Sequence, residues 1–489
     1  KMVLNNKTEA DNGEQSYLKQ CVREVLAALD MTRHQLENSG LKIYTHYVPK
    51  AQQMLAREIK NKSAYKEDNV EGAAVLVDNK TCGIIACYST IPYAFRRQPG
   101  SVIKPLVAYA PALERGLITA ASPVKDEKAD FSGYSPKNYK DIYYGWTTPR
   151  EAIKKSMNSV AVKTLSYAGS AAGLETGRKF GLKLKDEDDT LALALGGLTD
   201  GVTLTEVAGA YAALANGGVH TAPTCVKFIA SPDGAVKFKS GEPVRAVSPE
   251  TAAILTDVLV DTVKSGTART LSTLPFQVAA KTGTVGGKNP DKPNTDAWCM
   301  SYTTRHTLAV WHGAADTAET GGGHPAMCAK NIWKNLYESA VKTAGGDNLI
   351  GSTTQLGKSI NTAASYPPDF SLPQTVVSLN VDNYALEHEQ RLLLAGQNTP
   401  KKHIKTEIFS LYNQPREVSE IFSNITVDNL YVQVLDNYFL SPKGFPDLNI
   451  NDADEFFDDD FLDFWGDENK ISDDDFDFGN YKKRFGGNK

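Results

Sequence analysis

Hydrophobic and polar residues alternate along this 489-residue chain with two different periods. Residues 15–31 carry apolar side chains at the spacing of one helix face, which predicts an amphipathic helix. The stretch GLKIYTHYVP predicts a strand, and KAQQMLAREI directly after it predicts a second helix. Two β-rich runs around a polar turn at about 72–88, EGAAVLVDNKTCGIIACY, predict a hairpin. The N-terminal part of the chain therefore mixes helices with strands.

Helix starts in the middle of the chain are marked by capping residues. Thr148, Pro149 and Glu151 form the pattern of a capping box with proline at the first helical position. The run TLTEVAGAYAALANGG repeats that pattern from Thr203, and a further helix is predicted to start at Ser248. Three strand-like runs and a last helix follow: PFQVAAKTG, AWCMSYT, HTLAVWHG and AKNIWKNLYESAVK.

The predicted order of elements is two strands, a helical block, three strands and a helix. A sheet assembled from both ends of one domain, with helices packed on it, fits that order. We therefore expect an N-terminal linker region at 1–65, a main domain at 66–342 and a Ser/Thr/Pro-rich linker at 343–375. Alternating apolar runs predict a small accessory module containing β-structure at 376–440, followed by a tail at 441–489.

Composition indicates a globular protein with a strongly acidic tail. Hydrophobic residues make up 41% of the chain and charged residues 23%, and no apolar run approaches the ~20 residues that span a bilayer. Between Asp452 and Asp477, thirteen Asp/Glu stand against one Lys, a net charge of −12; since the whole chain carries −5, the rest carries +7. Such a block is typical of a solvated, disordered segment. The chain is either cytosolic or an ectodomain whose anchor is missing.

The motif Ser-x-x-Lys occurs six times, and one occurrence has a setting suited to chemistry. Ser101 follows Pro-Gly and opens an apolar run that reads as one helix. Residues i and i+3 share a helix face, so Lys104 would reach the Ser101 hydroxyl. Unpaired N–H groups at a helix start would also suit a developing oxyanion. The other occurrences fall in predicted helices, in polar connections or before proline: Ser16, Ser39, Ser63, Ser122 and Ser339.

A second motif, Ser-x-Asn, occurs three times, and one of these, Ser359-Ile360-Asn361, lies in the predicted linker at 343–375. Ser156-Met157-Asn158 follows the predicted helix that starts at Pro149, where a short turn would aim both polar side chains into a cleft. Ser378-Leu379-Asn380 lies in an alternating β run outside the main domain, which indicates a chance match. The first occurrence is therefore the candidate.

The motif Lys-Ser/Thr-Gly occurs three times, and again position separates the occurrences. Lys239 begins one in a polar turn, and Lys264 begins another at a helix end, where Lys and Gly are common. Lys281-Thr282-Gly283-Thr284 instead finishes a β run. An extended strand would place Lys281 and Gly283 on one side and the two threonines on the other, and Gly283 would let a ligand backbone approach closely.

These three motifs, in this order within one domain, form the set found in penicillin-binding proteins and serine β-lactamases. The chain resembles the transpeptidase region of class A (bifunctional) penicillin-binding proteins from about residue 40 to 342. RQPGSVIKP, ALGGLTDGVTLTEVAGAYAALANGG, TDAWCMSYT and LAVWHG also look like segments of that family. The resemblance implies an α+β fold: a mostly antiparallel five-stranded sheet flanked by helices, with an inserted all-helical subdomain.

The resemblance also implies a role for each motif residue. Ser101 would be the acylated nucleophile, and Lys104 the base that takes its proton. Ser156 would relay a proton to the departing amine, and Asn158 would hold the substrate amide. Lys281 would maintain the electrostatics of the cleft. Substrate binding, including the terminal carboxylate, would fall to the strand residues Thr282, Gly283 and Thr284.

The implied roles make demands on the geometry. Lys104 acts as a base only when it is neutral, and both burial and a second cation nearby, Lys281, lower a lysine pKa. The two lysines must therefore lie close together despite their separation in sequence. The backbone N–H groups of Ser101 and Thr284 would form the oxyanion hole, where one donor is typically worth ~10²–10³ in rate.

The resemblance implies partners and a location as well. The substrates would be peptidoglycan stem peptides ending in D-Ala-D-Ala, and β-lactam antibiotics would acylate the same serine. The protein would act at the extracytoplasmic face of the bacterial cell membrane, after a membrane helix and a glycosyltransferase domain that this sequence does not include. The acidic tail is a candidate docking segment for a cell-wall or divisome protein.

Other kinds of site find little support in the sequence. There is no Walker loop, no Gly-x-Ser-x-Gly elbow and no His pair at metal spacing, so no nucleic acid, cofactor or metal ion is expected. The six cysteines lack CxxC spacing, which predicts buried free thiols.

Three functions stay open at this point. The first is a D,D-transpeptidase, the second a hydrolase with the same fold, either a β-lactamase or a D,D-carboxypeptidase, and the third a penicillin sensor or scaffold without catalysis. A β-lactamase needs a carboxylate to activate the deacylating water. No Glu-x-x-x-Asn segment lies between Asn158 and Lys281, which favours the transpeptidase.

Overall fold

Ten α-helices and fourteen strands make up the part of the chain that the computed structural model describes, residues 13–61, 69–92, 95–239, 241–286, 294–316, 318, 323–342 and 366–423. The helices are α1 Glu14–Leu29, α2 Arg33–Asn38, α3 Pro49–Lys60, α4 Ala110–Glu114, α5 Pro149–Lys155, α6 Asn158–Ala168, α7 Ser170–Lys179, α8 Leu204–Ala215, α9 Pro249–Ser265 and α10 Pro325–Lys342. The strands are β1 Lys42–Thr45, β2 Val70–Asp78, β3 Gly83–Ser89, β4 Val124–Asp126, β5 Gly145–Thr147, β6 Val219–His220, β7 Val226–Ala230, β8 Val236–Lys239, β9 Val244–Arg245, β10 Ala279–Gly286, β11 Asn294–Tyr302, β12 His306–Ala314, β13 Val376–Asp382 and β14 Ile404–Ser410.

A five-stranded antiparallel sheet lies at the centre of the main domain, in the order β10-β11-β12-β2-β3. Its strands come from both sides of the helical block in sequence, which confirms the predicted assembly and the α+β class. In the register, Lys281 pairs with Met300, Met300 with Ala309, and Ala309 with Val75. All nine residues of β12 are buried, so this central strand has a nearly continuous apolar sequence.

Helices cover both faces of this sheet. Tyr109 and Tyr211 of the helical block pack on one face, and Trp333 of α10 packs on the other. The region predicted as an N-terminal linker, 1–65, takes part in both cores. Tyr17 of α1 lies in the first core and Leu55 of α3 in the second. The described elements of this region are therefore packed onto the main domain.

Capping side chains mark the starts of the main helices. Thr203 and Glu206 form the predicted capping box at α8. The Thr148 hydroxyl accepts a hydrogen bond from the Glu151 N–H at α5, and the Ser248 hydroxyl caps α9 in the same manner. These contacts confirm the helix starts that the sequence predicts.

The segment after Ser101 is not the single helix that its apolar run predicts. A 3-10 turn at Gly100–Ile103 passes into a π turn at Pro105–Tyr109 and then into α4. Proline lacks an N–H, and its ring clashes with the carbonyl four residues earlier, so Pro105 and Pro111 interrupt a regular α-helical ladder. The i, i+3 spacing of Ser-x-x-Lys is still held within one continuous helical segment.

Smaller sheets accompany the central one. They have the strand orders β1-β7-β8, β4-β5, β6-β9 and β13-β14. The chain divides into two units, one of Lys1–Leu379 with Glu407–Gln414 and one of Asn380–Thr406 with Pro415–Lys489. This division differs from the predicted module at 376–440, of which only the part up to residue 423 is described.

Some predictions fall outside the described residues. The predicted tail at 441–489 and most of the predicted linker at 343–375 lie there. All six cysteines are buried and free, as the sequence predicts. Among the described helices, none is both long and apolar enough to cross a bilayer.

A buried ion cluster inside the first unit ties the start of α5 to α9 and to β14. The Arg150 guanidinium donates to Asp257 at 2.6 Å and to Asp261 at 2.5 Å, and it pairs with both carboxylate oxygens of Glu407. The Glu407 side chain is only 1% exposed. Arginine matches three carboxylates because its planar fork offers five N–H donors.

We predict that Arg150→Ala lowers the free energy of unfolding by about 3–5 kcal/mol, because it leaves a buried Glu407 charge without its partner. Thermal or urea unfolding of the purified protein measures this change. The matched control is Arg33→Ala, whose side chain is 58% exposed and pairs with Glu37, itself 49% exposed; it should cost about 0–1 kcal/mol. Equal effects of the two substitutions would contradict the prediction.

Candidate active site

The hydroxyl of Ser156 lies between the side chains of two lysines. Lys281 Nζ donates to Ser156 Oγ at 2.8 Å, and Lys104 Nζ lies 3.4 Å from the same oxygen. Lys281 comes from β10, Lys104 from the helical segment after Ser101, and Ser156 from the turn between α5 and α6. The three motifs therefore meet at one point, and the predicted closeness of the two lysines is confirmed.

Lys104 is fully buried and surrounded by uncharged acceptors. Its ammonium donates to Asn158 Oδ1 at 2.6 Å, to the Ser156 carbonyl at 2.8 Å and to the Met157 carbonyl at 3.3 Å. Burial lowers the pKa of Lys104 well below its usual range, and the Lys281 charge lowers it further. The Asp126 carboxylate opposes this shift. A neutral Lys104 can accept a proton.

Lys281 is also fully buried, and desolvation lowers its pKa to about 7. Its ammonium donates to the Thr282 carbonyl at 2.9 Å as well as to Ser156. The Cys299 thiol opposes the shift. Lys281 therefore loses its proton more easily than an exposed lysine does.

Ser156 holds an unusual backbone conformation. Its φ of 59° and ψ of 39° lie in the left-handed region, where it ends α5 before α6 starts at Asn158. A non-glycine residue in this region costs of order 1–3 kcal/mol. The strained turn brings the polar side chains of Ser156 and Asn158 to the same lysine, Lys104.

Two glycines allow the Ser101 segment and β10 to touch. Gly100 has a φ of +53°, and a Cβ there would lie 2.6 Å from the Thr284 carbonyl oxygen. A Cβ on Gly283 would lie 2.7 Å from the Pro99 carbonyl oxygen. The close neighbour of Gly283 is thus the protein's own backbone, whereas the sequence predicted room for a ligand backbone.

The polypeptide before Ser101 is held by side chains from distant parts of the fold. Gln98 donates to the Leu198 carbonyl at 2.7 Å and accepts from the Leu198 N–H at 2.9 Å. The Trp298 indole N–H donates to the Gln98 carbonyl at 3.0 Å. Ser101 itself is half-buried, and the hydrogen bonds that the described residues give Lys104 Nζ do not include the Ser101 hydroxyl.

The two threonines of the Lys-Thr-Gly strand differ in their surroundings. Thr282 is half-buried, and its hydroxyl donates to the Thr267 hydroxyl at 2.8 Å. Thr284 is exposed beside the Ser101 segment. Sequence reasoning missed Thr267, which lies in the loop after α9 and matches no motif that we considered.

Sequence reasoning also missed the residues that hold Asn158. The Lys137 carbonyl accepts from Asn158 Nδ2 at 2.6 Å, and Asn138 Oδ1 accepts from the Asn158 N–H at 2.7 Å. Both come from the loop between β4 and β5. One signal was available in the sequence, because Met157 stands at the N-cap position of α6 and is not a capping residue type.

Comparison with known proteins assigns this arrangement to a family. The family model described as "Penicillin binding protein transpeptidase domain" matches residues 72–338, more than half of the chain. The chain belongs to this family. The match includes all the motif residues at the site and confirms the resemblance to the transpeptidase region of class A penicillin-binding proteins.

Curated relatives agree with the family assignment. Penicillin-binding protein 1F of Bacillus subtilis (strain 168) is 34% identical over 340 residues, which cover 66% of this chain and 47% of that protein. Penicillin-binding protein 1A/1B of the same organism is 28% identical over 406 residues, which cover 78% and 42%. The chain spans about half the length of these relatives.

Solved structures share the fold. PonA1 of Mycobacterium tuberculosis, in a complex with penicillin V, matches with a TM-score of 0.60 at 22% identity, over 74% of this chain and all of that one. Penicillin-binding protein 1A of Haemophilus influenzae matches with a TM-score of 0.55 at 21% identity, over 72% of this chain and 55% of that one. These matches confirm the predicted fold class of a penicillin-binding transpeptidase.

The charge of Lys281 lowers the pKa of Lys104, and this effect predicts how the rate of penicillin labelling depends on pH. Labelling by a fluorescent penicillin should speed up as rising pH makes Lys104 neutral. Lys281→Met removes a cation that lowers the Lys104 pKa, so that pKa rises and the half-maximum of the labelling rate moves to higher pH. Rates measured from pH 5 to 10 give this half-maximum.

The matched control for this prediction is Lys264→Met, since Lys264 begins another Lys-Ser-Gly sequence and its side chain is 63% exposed. This variant should keep the half-maximum of the native protein. A half-maximum that moves to lower pH, or stays fixed, in Lys281→Met would show that the Lys281 charge does not act on Lys104.

Proposed function

We propose that this chain is the D,D-transpeptidase part of a protein that cross-links peptidoglycan stem peptides through an acyl-enzyme on Ser101. The observation that supports this most strongly is the Ser156 hydroxyl between the Lys104 and Lys281 nitrogens. It links two buried lysines of lowered pKa to the segment that carries Ser101. Membership of the transpeptidase family supports the same function in more general terms.

The proposed acylation begins with neutral Lys104. As the Ser101 oxygen attacks the carbonyl between the two D-Ala residues, its proton passes to Lys104. A new C–O bond forms, and the carbonyl oxygen gains negative charge that the N–H groups of Ser101 and Thr284 stabilise. Collapse of this intermediate breaks the C–N bond. Ser156 gives its proton to the departing amine of the terminal D-Ala and takes one from the protonated Lys104, which becomes neutral again.

The second half of the proposed reaction uses an amine of another stem peptide. Its nitrogen attacks the Ser101 ester, loses a proton to the same lysine and serine relay, and forms the cross-link. The Ser101 hydroxyl is regenerated when the C–O bond breaks. Because the acceptor is an amine, the product is a peptide bond and the net reaction is transpeptidation.

Substrate recognition in this proposal falls to the rim of the site. Thr282 and Thr284 carry hydroxyls, and Lys281 carries a cation, a combination suited to the terminal carboxylate of the donor peptide. Gly283 keeps this strand against the Ser101 segment. Asn158 would hold the donor amide after its Nδ2 group exchanges the Lys137 carbonyl for the substrate carbonyl.

The proposal extends to compartment and partners. The substrate is part of the cell wall, so the protein would act at the extracytoplasmic face of the bacterial cell membrane. The −12 charge of the acidic tail would suit a basic docking surface on a cell-wall or divisome protein. β-Lactam antibiotics would act as covalent inhibitors at Ser101.

We predict one long-lived penicillin adduct on Ser101. The leaving nitrogen of a β-lactam stays tethered after ring opening and blocks the attacking acceptor, and no Glu-x-x-x-Asn segment that could activate water lies between Asn158 and Lys281. Intact-protein mass spectrometry after mixing with benzylpenicillin should show an adduct that persists for many minutes. Peptide mapping should place it on Ser101.

Two substitutions and one assay make this prediction specific. Ser101→Ala should abolish the adduct, and Ser16→Ala, in another Ser-x-x-Lys sequence, should leave it intact. With a D-Ala-D-Ala peptide, D-Ala release and a cross-linked product should appear together when an acceptor amine is added. Rapid loss of the adduct with release of penicilloate would favour a β-lactamase, and no adduct at any dose would favour a scaffold.

A further inference from the structure

The helix that carries Asn158 has no capping side chain of its own. Met157 stands at the N-cap of α6 and makes no capping hydrogen bond, although a helix start leaves its first N–H groups unpaired. Asn138 supplies the missing acceptor. Its Oδ1 accepts from the Asn158 N–H at 2.7 Å and from the Ser159 N–H at 3.1 Å.

The Asn138 amide is in turn fixed by a buried carboxylate. Its Nδ2 donates to Asp126 Oδ1 at 2.7 Å, to Asp126 Oδ2 at 3.0 Å and to the Ile142 carbonyl at 3.0 Å. Asp126 is 1% exposed and also accepts from the Tyr144 N–H at 2.9 Å and from the Ser159 hydroxyl. Because every partner of Oδ1 is a donor and every partner of Nδ2 an acceptor, the amide has a single orientation.

The same loop also orients the Asn158 side chain. The carbonyl of Lys137 accepts from Asn158 Nδ2, so Asn158 Oδ1 faces the Lys104 ammonium. A chain of hydrogen bonds therefore runs from Asp126 through Asn138 to the turn that surrounds Lys104. Neither Asp126 nor Asn138 belongs to the three sequence motifs.

We propose that Asn138, clamped by Asp126, is a positioning residue that fixes the turn of Ser156 and Asn158 around Lys104. The inference rests on the proposed function, since acyl transfer at Ser101 is what gives the geometry of this turn a role. Asn138 acts through Asn158 and Lys104. Its loss would displace these groups without removing any of them.

Charged and titratable groups near Asp126 bear on the test. The Asp126 carboxylate raises the pKa of Lys104 against the larger effect of burial, and it adds to the burial that raises the pKa of Tyr109. On its own ribbon, Lys125 and Glu127 flank it, and their side chains are 46% and 41% exposed and pair with each other at 3.0 Å. Within the active site, Lys104 is thus the titratable group that faces the clamp, meaning the pair Asn138 and Asp126.

The first test is Asn138→Ala, which removes both the Oδ1 acceptor of the α6 N–H groups and the Nδ2 donor to Asp126. The second-order rate of acylation by benzylpenicillin should fall by roughly tenfold to a hundredfold, because small displacements of reacting groups carry penalties of that size. The thermal unfolding midpoint, measured on the same sample, shows whether the variant is folded. A folded variant that acylates at the native rate would overturn the proposal.

Asn138→Asp supplies a signature that general destabilisation would not give. The new carboxylate can still accept from the two α6 N–H groups, but it faces Asp126 at hydrogen-bond distance. At low pH such a pair shares one proton and can restore the contact, whereas at high pH both groups ionise and repel. The acylation rate relative to the native protein should therefore fall as pH rises from 5 to 9, while the ratio for Asn138→Ala stays flat. A flat ratio for Asn138→Asp would overturn the proposal.

Asn79→Ala is the matched control. Asn79 is also buried, donates to the Thr303 carbonyl at 2.9 Å and accepts from the Thr307 hydroxyl at 2.7 Å, but it lies in the turn between β2 and β3. This variant should lower the unfolding midpoint and keep the native acylation rate. If the native protein itself forms no adduct on Ser101, the proposed function fails; if it does and Asn138→Ala acylates equally fast, only the clamp fails.

Discussion

Burial of the Lys104 and Lys281 side chains costs free energy that the surrounding structure has to offset. An ammonium taken out of water loses several kcal/mol of hydration, and proteins commonly meet this cost by releasing the proton. Both lysines here are fully buried, and the groups that accept hydrogen bonds from them are hydroxyls, carbonyls and one amide. The low pKa of each lysine is the direct result, and it makes one of them suited to act as a base.

This constraint explains why the surrounding backbone is so tightly held. Two lysine side chains 177 residues apart can share one serine hydroxyl only if the helical segment, the turn and the strand keep fixed positions. Gly100 and Gly283 allow the segment and the strand to touch, Gln98 anchors the segment, and the strained φ of Ser156 directs the turn. The five-stranded sheet holds the strand with Lys281. The helical block holds the segment with Lys104 and the turn with Ser156.

Much of this arrangement could be predicted from the sequence. The features that could not be predicted were missed for physical reasons. The spacing of apolar residues and the capping residues predicted the hairpin, the helices from Thr203 and Ser248 and the three late strands, because these signals are local. The segment after Ser101 was predicted as one helix, since its apolar pattern gives no warning of how Pro105 reshapes the turns. Asn138 was missed because its partners Asp126, Asn158 and Ser159 lie 12 to 21 residues away in sequence, and only folding brings them together.

Burial of Lys104 predicts that this lysine is neutral when the protein works, and NMR can test its protonation state directly. In protein labelled with ¹³C at lysine Cε, the titration of each lysine is followed from pH 5 to 11, and Lys104→Arg identifies the Lys104 signal by its loss. We expect that signal to titrate well below the ordinary range near 10.4, with a second low titration lost in Lys281→Arg. A Lys104 signal that titrates near 10.4 would contradict the account.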